Sequence, residues 1–454
     1  MSPDARTASP RENRLGPIAK LIFGMGDHSV NLSLSSLSIF FFFFLTEVAG
    51  LRPGLAGAAM LVARCFDAVS DPLIGRFSDT RTWATGRRRP FFLIGMIPFA
   101  VCFALLWRTP FEPTEQAAMF AYYTLVYMAL SLATTTLSVP YLALIPEMAR
   151  DYHERTSLNA FRAGCAVSGT LFAVGMRALA DSWGGDADAY AAAGLIFAIW
   201  LMVPWLPAYR VSFEQADADA PPPASLIEGA IQVATHRNFL RLSALFVSAR
   251  IAVDLVAAAL AYFTAFWLLR PGDLVPAMLI LLLSSMLSLP IWLQIAKRVD
   301  KHKMFIAGAG FWAFLLCAMF FVTPEFPQFA LFAAIGLAGF GYCAADLTPW
   351  SMIGEVIDED ELGSGQRREG IYNGFFTVLR KIGGASGVAA MGLTFELAGY
   401  VPDQPQSDEA LLAIRVAATL APACFLAIAI AFAVGYPLTR AEHERIRGEL
   451  DARG

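Results

Sequence analysis

The chain has 454 residues, of which 57% are hydrophobic and only 16% charged, and its mean hydropathy is +0.54. Soluble domains carry roughly 25% charged residues, so the composition excludes a water-soluble globule and points to an all-α integral membrane protein. A net charge of −4, with no basic tract and no zinc-type ligand spacing, gives nucleic acid no support as a partner.

The first residues are polar, with Arg6, Arg11 and Arg14. No cleavable signal peptide is expected there, and residues 1–16 read as a disordered cytoplasmic arm. A membrane span needs about 20 apolar residues. Suitable runs fall near 17–45, 54–78, 90–108, 114–148, 155–183 and 189–209, then near 238–269, 274–298, 303–323, 327–356, 367–398 and 409–437. The expectation is twelve transmembrane helices in two six-helix halves, 17–209 and 238–437. A cytoplasmic linker over 210–237 joins them, least structured at Ala216–Pro223, and 438–454 forms a cytoplasmic tail.

Charge placement supports this count. Most of the 34 Lys and Arg residues fall in loops on the side of the N-terminus, while the opposite loops hold only Arg52, Arg108 and Arg270 and are otherwise acidic. That is the positive-inside pattern for a multi-pass protein of the plasma (cell inner) membrane with both termini in the cytoplasm. The six cysteines all lie in apolar runs without a CxxC pair and read as reduced packing residues.

Polar groups inside the spans come next. The first span carries Asp27 and Asn31 on one helical face, a candidate lining for a polar cavity, with Gly24 and Gly26 allowing close helix approach. His28 is assigned no role, and Phe40 to Phe44 read as lipid contact and packing. In the second span Asp67 and Asp71 stand four residues apart, one turn apart on the same face. An ionised carboxylate at the bilayer centre costs about 2.5 to 3.5 kcal/mol. The pair is expected to go uncompensated until a small cation arrives, with the Ser70 hydroxyl beside it, because hard cations want oxygen ligands. The plainer alternative is that Arg64, three residues earlier, neutralises the pair as a packing feature. Span four brings Thr134–Thr136, Ser138 and Pro140; the proline frees carbonyls one turn upstream. Arg162, Asp346 and Lys381 have no evident neutraliser nearby in sequence. Arg250 and Asp254, four apart, are as suited to pairing with each other as to touching a substrate.

The halves echo each other. Pro140-Tyr141 is followed by Glu147 and the charged Glu154-Arg155, and Pro349-Trp350 by Glu355 and the charged Arg367-Arg368-Glu369. Parallel repeats of this kind belong to transporters that rock about a midplane site. The inner closure is expected from Asp79 with the Arg87–Arg88–Arg89 loop, from Glu147 or Glu355 with neighbouring arginines, and from Arg155 and Arg367. Asp358 to Glu361 reads as a solvated loop.

With these residues in view, the chain resembles the glycoside–pentoside–hexuronide:cation symporters, the melibiose permease group of the major facilitator superfamily, from about Leu21 to Leu438. Its marks are Gly24-Met25-Gly26-Asp27 with Asn31, Thr46 to Leu51, and Leu61 to Pro72. To these add Gly86-Arg87-Arg88-Arg89-Pro90, Glu154-Arg155 and Gly365 to Gly370. The resemblance implies the major facilitator fold and a site for Na⁺, Li⁺ or H⁺ at Asp67, Ser70, Asp71 and Thr135. It implies sugar-facing positions at Asn31, Ser138, Leu142, Arg162, Asp346, Thr377 and Lys381. Ser70 stands where melibiose permease has asparagine, Leu142 replaces its tryptophan, and Asn31 and Ser138 replace carboxylates that hold galactosyl hydroxyls. Galactoside recognition therefore does not carry over, and because vertebrate lysolipid transporters resemble the group too, an amphiphilic substrate stays open.

The expected activity is cation-coupled symport of a sugar or glycoside, with no bound cofactor beyond the coupling ion and with the bilayer as the other partner. One charge moving through 100 mV is worth about 2.3 kcal/mol, enough for roughly a fifty-fold gradient. An Asp-rich intramembrane enzyme would need a second acidic motif facing the first. A non-transporting sensor would show no flux. ATP-driven pumping lacks its nucleotide-binding loop.

Overall fold

The computed structural model describes residues 15–80, 83, 85–149, 151–214, 233, 235–402 and 404–452, without the side chains of Asp79 and Tyr152. The N-terminal arm up to residue 14 and the Ala216–Pro223 linker lie outside the described residues.

Regular structure among the described residues is helical, apart from one bridge between Trp83 and Gly86. In chain order the helices are α1 (Pro17–Ser36), α2 (Pro53–Thr80), α3 (Pro90–Leu106), α4 (Gln116–Met148), α5 (Tyr152–Ser182), α6 (Ala187–Met202) and α7 (Trp205–Val211). They continue as α8 (Arg237–Tyr262), α9 (Leu274–Ala296), α10 (Lys301–Met319), α11 (Gln328–Ser364), α12 (Glu369–Leu397), α13 (Asp408–Ala418), α14 (Leu420–Ala433) and α15 (Arg440–Asp451). Every apolar run read from the sequence is helical here.

Eight helical stretches among the described residues are long and apolar enough to cross a membrane, and α3 is a shorter apolar helix. Helices α1, α2 and α12, at 20, 28 and 29 residues, are long enough but richer in polar and charged side chains. Those three carry Asp27, Asp67, Asp71 and Lys381.

The chain folds into two compact units. One contains residues up to Ser36, Val69–Arg108 and the chain from Val126 through α7; the other contains Leu37–Ala68, Thr109–Leu125 and α8 onward. In the first unit α1 lies tightly along α5: a Cβ on Gly169 would come within 2.2 Å of the His28 carbonyl oxygen, so only glycine fits. His28 is itself engaged, with Nδ1 2.8 Å from Ser168 Oγ and Nε2 accepting from the Trp200 indole N–H.

In the second unit the run Phe40 to Phe44 keeps the packing half of its expectation and loses the lipid contact. All five rings are buried, on a helical stretch with π-helical turns at Leu37–Phe41 and Phe44–Val48. Phe41 packs against Tyr123, and Phe42 and Phe43 against Tyr262. Rings on every side of a helix suit a position with protein on every side.

Two further expectations change. Asp358 to Glu361 is the last part of α11 rather than a solvated loop. Asp358 is buried and bonded to Arg367 and His443, while Asp360 meets Arg368. The tail forms helix α15, whose Ile446 belongs to a buried cluster with Met352, Val356, Tyr372 and Tyr436. Of the six free cysteines, Cys65, Cys317 and Cys424 are exposed rather than packed within the protein.

Candidate coupling and substrate site

Asp67 of α2 is buried more deeply than Asp71, at 4% exposed. Its Oδ2 receives the Lys381 ammonium of α12 at 2.7 Å and lies 3.7 Å from Arg64 Nη1. The expectation of an acid left uncompensated is corrected here. A bare carboxylate cannot persist at this depth, and the long lysine stem brings a cation from a helix more than 300 residues away in sequence. The Arg64 alternative is also present, at longer range. Asp71, one turn on, accepts a hydrogen bond from Thr135 Oγ1 of α4 at 2.6 Å. The flanking Thr134 and Thr136 hydroxyls return to their own helix, at Leu130 O and Leu132 O, so Thr135 alone of the three reaches across. Ser70 is buried beside the acids.

A second cluster joins α1, α4 and α5. Arg162 grips Asp27 with Nε to Oδ2 at 2.6 Å and Nη2 to Oδ1 at 3.2 Å, and donates to Asn159 through Nη1. The Tyr141 hydroxyl stands 2.8 Å from Asp27 Oδ2 and 2.9 Å from the Phe23 carbonyl oxygen, with the guanidinium over its ring. Arg162, without an evident partner in the sequence, is thus held by an acid 135 positions away. Tyr141 was visible in the repeated Pro-aromatic pattern, but only the fold gives its hydroxyl a role. Asn31 donates to the Asp27 carbonyl oxygen of its own helix. Thr377 likewise bonds back to Asn373 O, and Ser138 is half-buried on α4.

A third cluster lies on α8 and α11. Arg250 and Asp254 pair, with Nε to Oδ2 at 3.0 Å and a second short contact from Nη2 to Oδ1. Arg250 also reaches Asp346 at 3.6 Å, which supplies the neutraliser that the sequence did not reveal.

The expected gate charges sort by the same logic. Glu147 takes Arg87 at 2.9 Å and Arg88 at 2.6 Å. Its counterpart in the repeat, Glu355, takes Lys301 at 3.0 Å rather than an arginine. In both halves a buried acid near the end of the long helix meets a cation from a distant helix junction. The sequence repeat is therefore also a repeat of contacts. Arg367 bonds Asp358, Glu361 and Glu369, and Arg155 caps the Ala149 carbonyl. The Asp79 side chain lies outside the described residues.

Sequence reasoning missed Glu214 entirely. Its two oxygens accept the backbone N–H groups of Arg87, Arg88 and Arg89 at 2.6, 2.7 and 2.9 Å, which fixes the loop presenting those arginines. Burial pushes its carboxyl up, but the three backbone donors together with the Arg87 charge outweigh that and hold it below the usual glutamate value. Arg89 itself turns away, onto the Tyr209 carbonyl and ring. Missed too was Lys20, buried on α1 against Glu154 at 3.1 Å.

Long apolar helices that carry buried, cross-paired charges are the make-up of a multi-pass membrane protein, and charges inside a span are costly enough to point to function by default. Residues 22–440 match the family model described as MFS/sugar transport protein, and the chain belongs to that family of transporters. An uncharacterised symporter of Synechocystis sp. is 31% identical over 96% of both chains. A glucuronide carrier protein homolog of Escherichia coli is 26% identical over 95% of this chain and 94% of its own. A sodium-dependent lysophosphatidylcholine symporter of Danio rerio is 26% identical over 96% and 88%. Among solved structures, a D-xylose-proton symporter superposes with TM-score 0.65 at 12% identity, covering 93% of this chain and 98% of that one, a likeness of fold alone.

Proposed function

We propose that the protein is a cation-coupled symporter of a sugar or glycoside, working by alternating access. The observation that carries the reading is the Asp67–Lys381 pair, a buried carboxylate held at 2.7 Å by a tethered ammonium. A coupling cation (Na⁺, Li⁺ or H⁺) competes with Lys381 for Asp67. Asp71, Ser70 and Thr135 supply the remaining oxygens. Binding of the ion releases the ammonium and lets α12 rearrange, which ties ion entry to the state of the substrate groups Asp27, Asn31, Ser138, Arg162, Asp346, Thr377 and Lys381. The halves 17–209 and 238–437 then rock, with Glu147 and Arg87–Arg89, Glu355, Arg367, Arg155 and Asp79 closing the inner side. The termini are cytoplasmic and the membrane is the plasma membrane, as the loop charges favour.

The family description and the glucuronide carrier relative support a sugar-type substrate. A lysolipid is the second reading. It draws on the lysophosphatidylcholine symporter relative and on Leu142, an apolar side chain 49% exposed where melibiose permease carries tryptophan. Uptake into proteoliposomes of a labelled sugar panel and of lysophosphatidylcholine, each with and without an inward Na⁺ or H⁺ gradient, tests both. Gradient-driven uptake of a glycoside is the expected result; gradient-driven uptake of the lysolipid alone replaces the first reading with the second.

A further inference from the structure

Arg380 of α12 stands apart from every other intramembrane cation described above. Lys381 has Asp67, Arg162 has Asp27, and Arg250 has Asp254 and Asp346. Arg380 is partly buried and forms no hydrogen bond or ion pair with any described residue. Its surroundings do not lack acids. Asp254 and Asp346 are in its electrostatic neighbourhood, together with the cations Arg250 and Arg64. Those acids are already taken: both oxygens of Asp254 face Arg250, and Asp346 lies 3.6 Å from the same guanidinium. Asp254 is moreover pinned one turn along α12, where Gly384 gives it room. A Cβ at that position would sit 1.7 Å from Oδ2.

An intramembrane guanidinium without a partner is costly and functional by default. It presents five donors in a planar fork matched to carboxylate and phosphate oxygens. We propose that Arg380 binds an anionic group of the transported molecule, a carboxylate or a phosphodiester, which serves as the partner the fold withholds. This rests on the reading of the protein as a transporter and narrows its substrate to molecules that carry an anionic group, whatever their net charge. A uronate glycoside and a lysophospholipid are the two sources of that chemistry.

The test uses the full-length protein in lipid nanodiscs and two matched pairs of probes. One pair is 4-nitrophenyl glucuronide against 4-nitrophenyl glucoside; the other is lysophosphatidylcholine against a monoacylglycerol of the same chain. Calorimetry should show that in one pair the member carrying the carboxylate or phosphodiester (the anionic member below) binds at least about tenfold tighter than its match. The pair that shows this identifies the source. Arg380→Gln should cut that ratio by about tenfold to a hundredfold, the weight of a charge-assisted hydrogen bond pair. Arg380→Lys, which keeps the charge but loses the fork, should cut it several-fold and serves if Arg380→Gln fails to fold. The proposal is overturned by no anionic preference in either pair, by a ratio unchanged in both variants, or by equal loss for anionic and neutral members. Proteoliposome uptake separates this from the transport reading. Anion-selective binding without gradient-driven uptake would remove the symport reading alone, and gradient-driven uptake of the neutral glycoside without anion preference would remove only the role of Arg380.

Discussion

Asp67 and Lys381 make a pair whose worth is exchange rather than stability. Buried ion pairs are weak net stabilisers, yet stripping one partner from a buried pair costs about 3 to 5 kcal/mol. Lys381→Gln should therefore tighten cation binding by about tenfold, since the tethered competitor is gone. Titration of tryptophan fluorescence with Na⁺, Li⁺ and H⁺ would show it, and an unchanged midpoint for all three would count against competition. Arg162→Gln strands Asp27 beside Tyr141 alone and should cost about 3 kcal/mol in melting experiments. The double variant with Asp27→Asn should recover much of that loss, because it removes the orphaned charge. Which charges lie inside the helices was legible in the sequence, since a charge inside an apolar run is conspicuous. Their partners were not: Arg162 and Asp27, or Lys381 and Asp67, meet only because separate helices pack together, and no local spacing encodes that.

Among the elements, helix runs and the internal repeat were readable because hydrophobic length and the Pro-aromatic-acid pattern are local properties. The repeat also predicts unequal behaviour in the two halves. Glu147 has two arginines on one oxygen, whereas among the described residues Glu355 pairs with Lys301 alone and its buried Oε2 has no donor. Lys301→Met should thus lower stability by about 3 kcal/mol, while Arg87→Ala, with Arg88 still in place, should cost under about 1 kcal/mol. Thermal melting of the purified protein compares them directly. The Arg87–Arg89 loop depends on Glu214, a residue that looked like ordinary linker because its partners are backbone amides. Its carboxyl titrates below the usual glutamate value in the folded state, so its stabilising effect is present above that value and is lost as pH falls through the lowered one. Wild type should melt above Glu214→Ala at pH 7, by roughly 1 kcal/mol for a half-exposed group. The gap should close below about pH 4. A gap that widened on acidification would contradict the assignment.

At the scale of the whole molecule, family membership and the major facilitator fold make this a membrane transporter, and the proposed coupling concentrates on α2 and α12. The most direct measurement is accumulation of a labelled substrate in proteoliposomes, with and without an inward cation gradient, for wild type and Asp67→Cys. Wild type should accumulate substrate above equilibrium only with the gradient, up to roughly fifty-fold for one charge at 100 mV. Asp67→Cys should equilibrate at most, with or without it. Gradient-driven accumulation by Asp67→Cys equal to that of wild type would contradict the account.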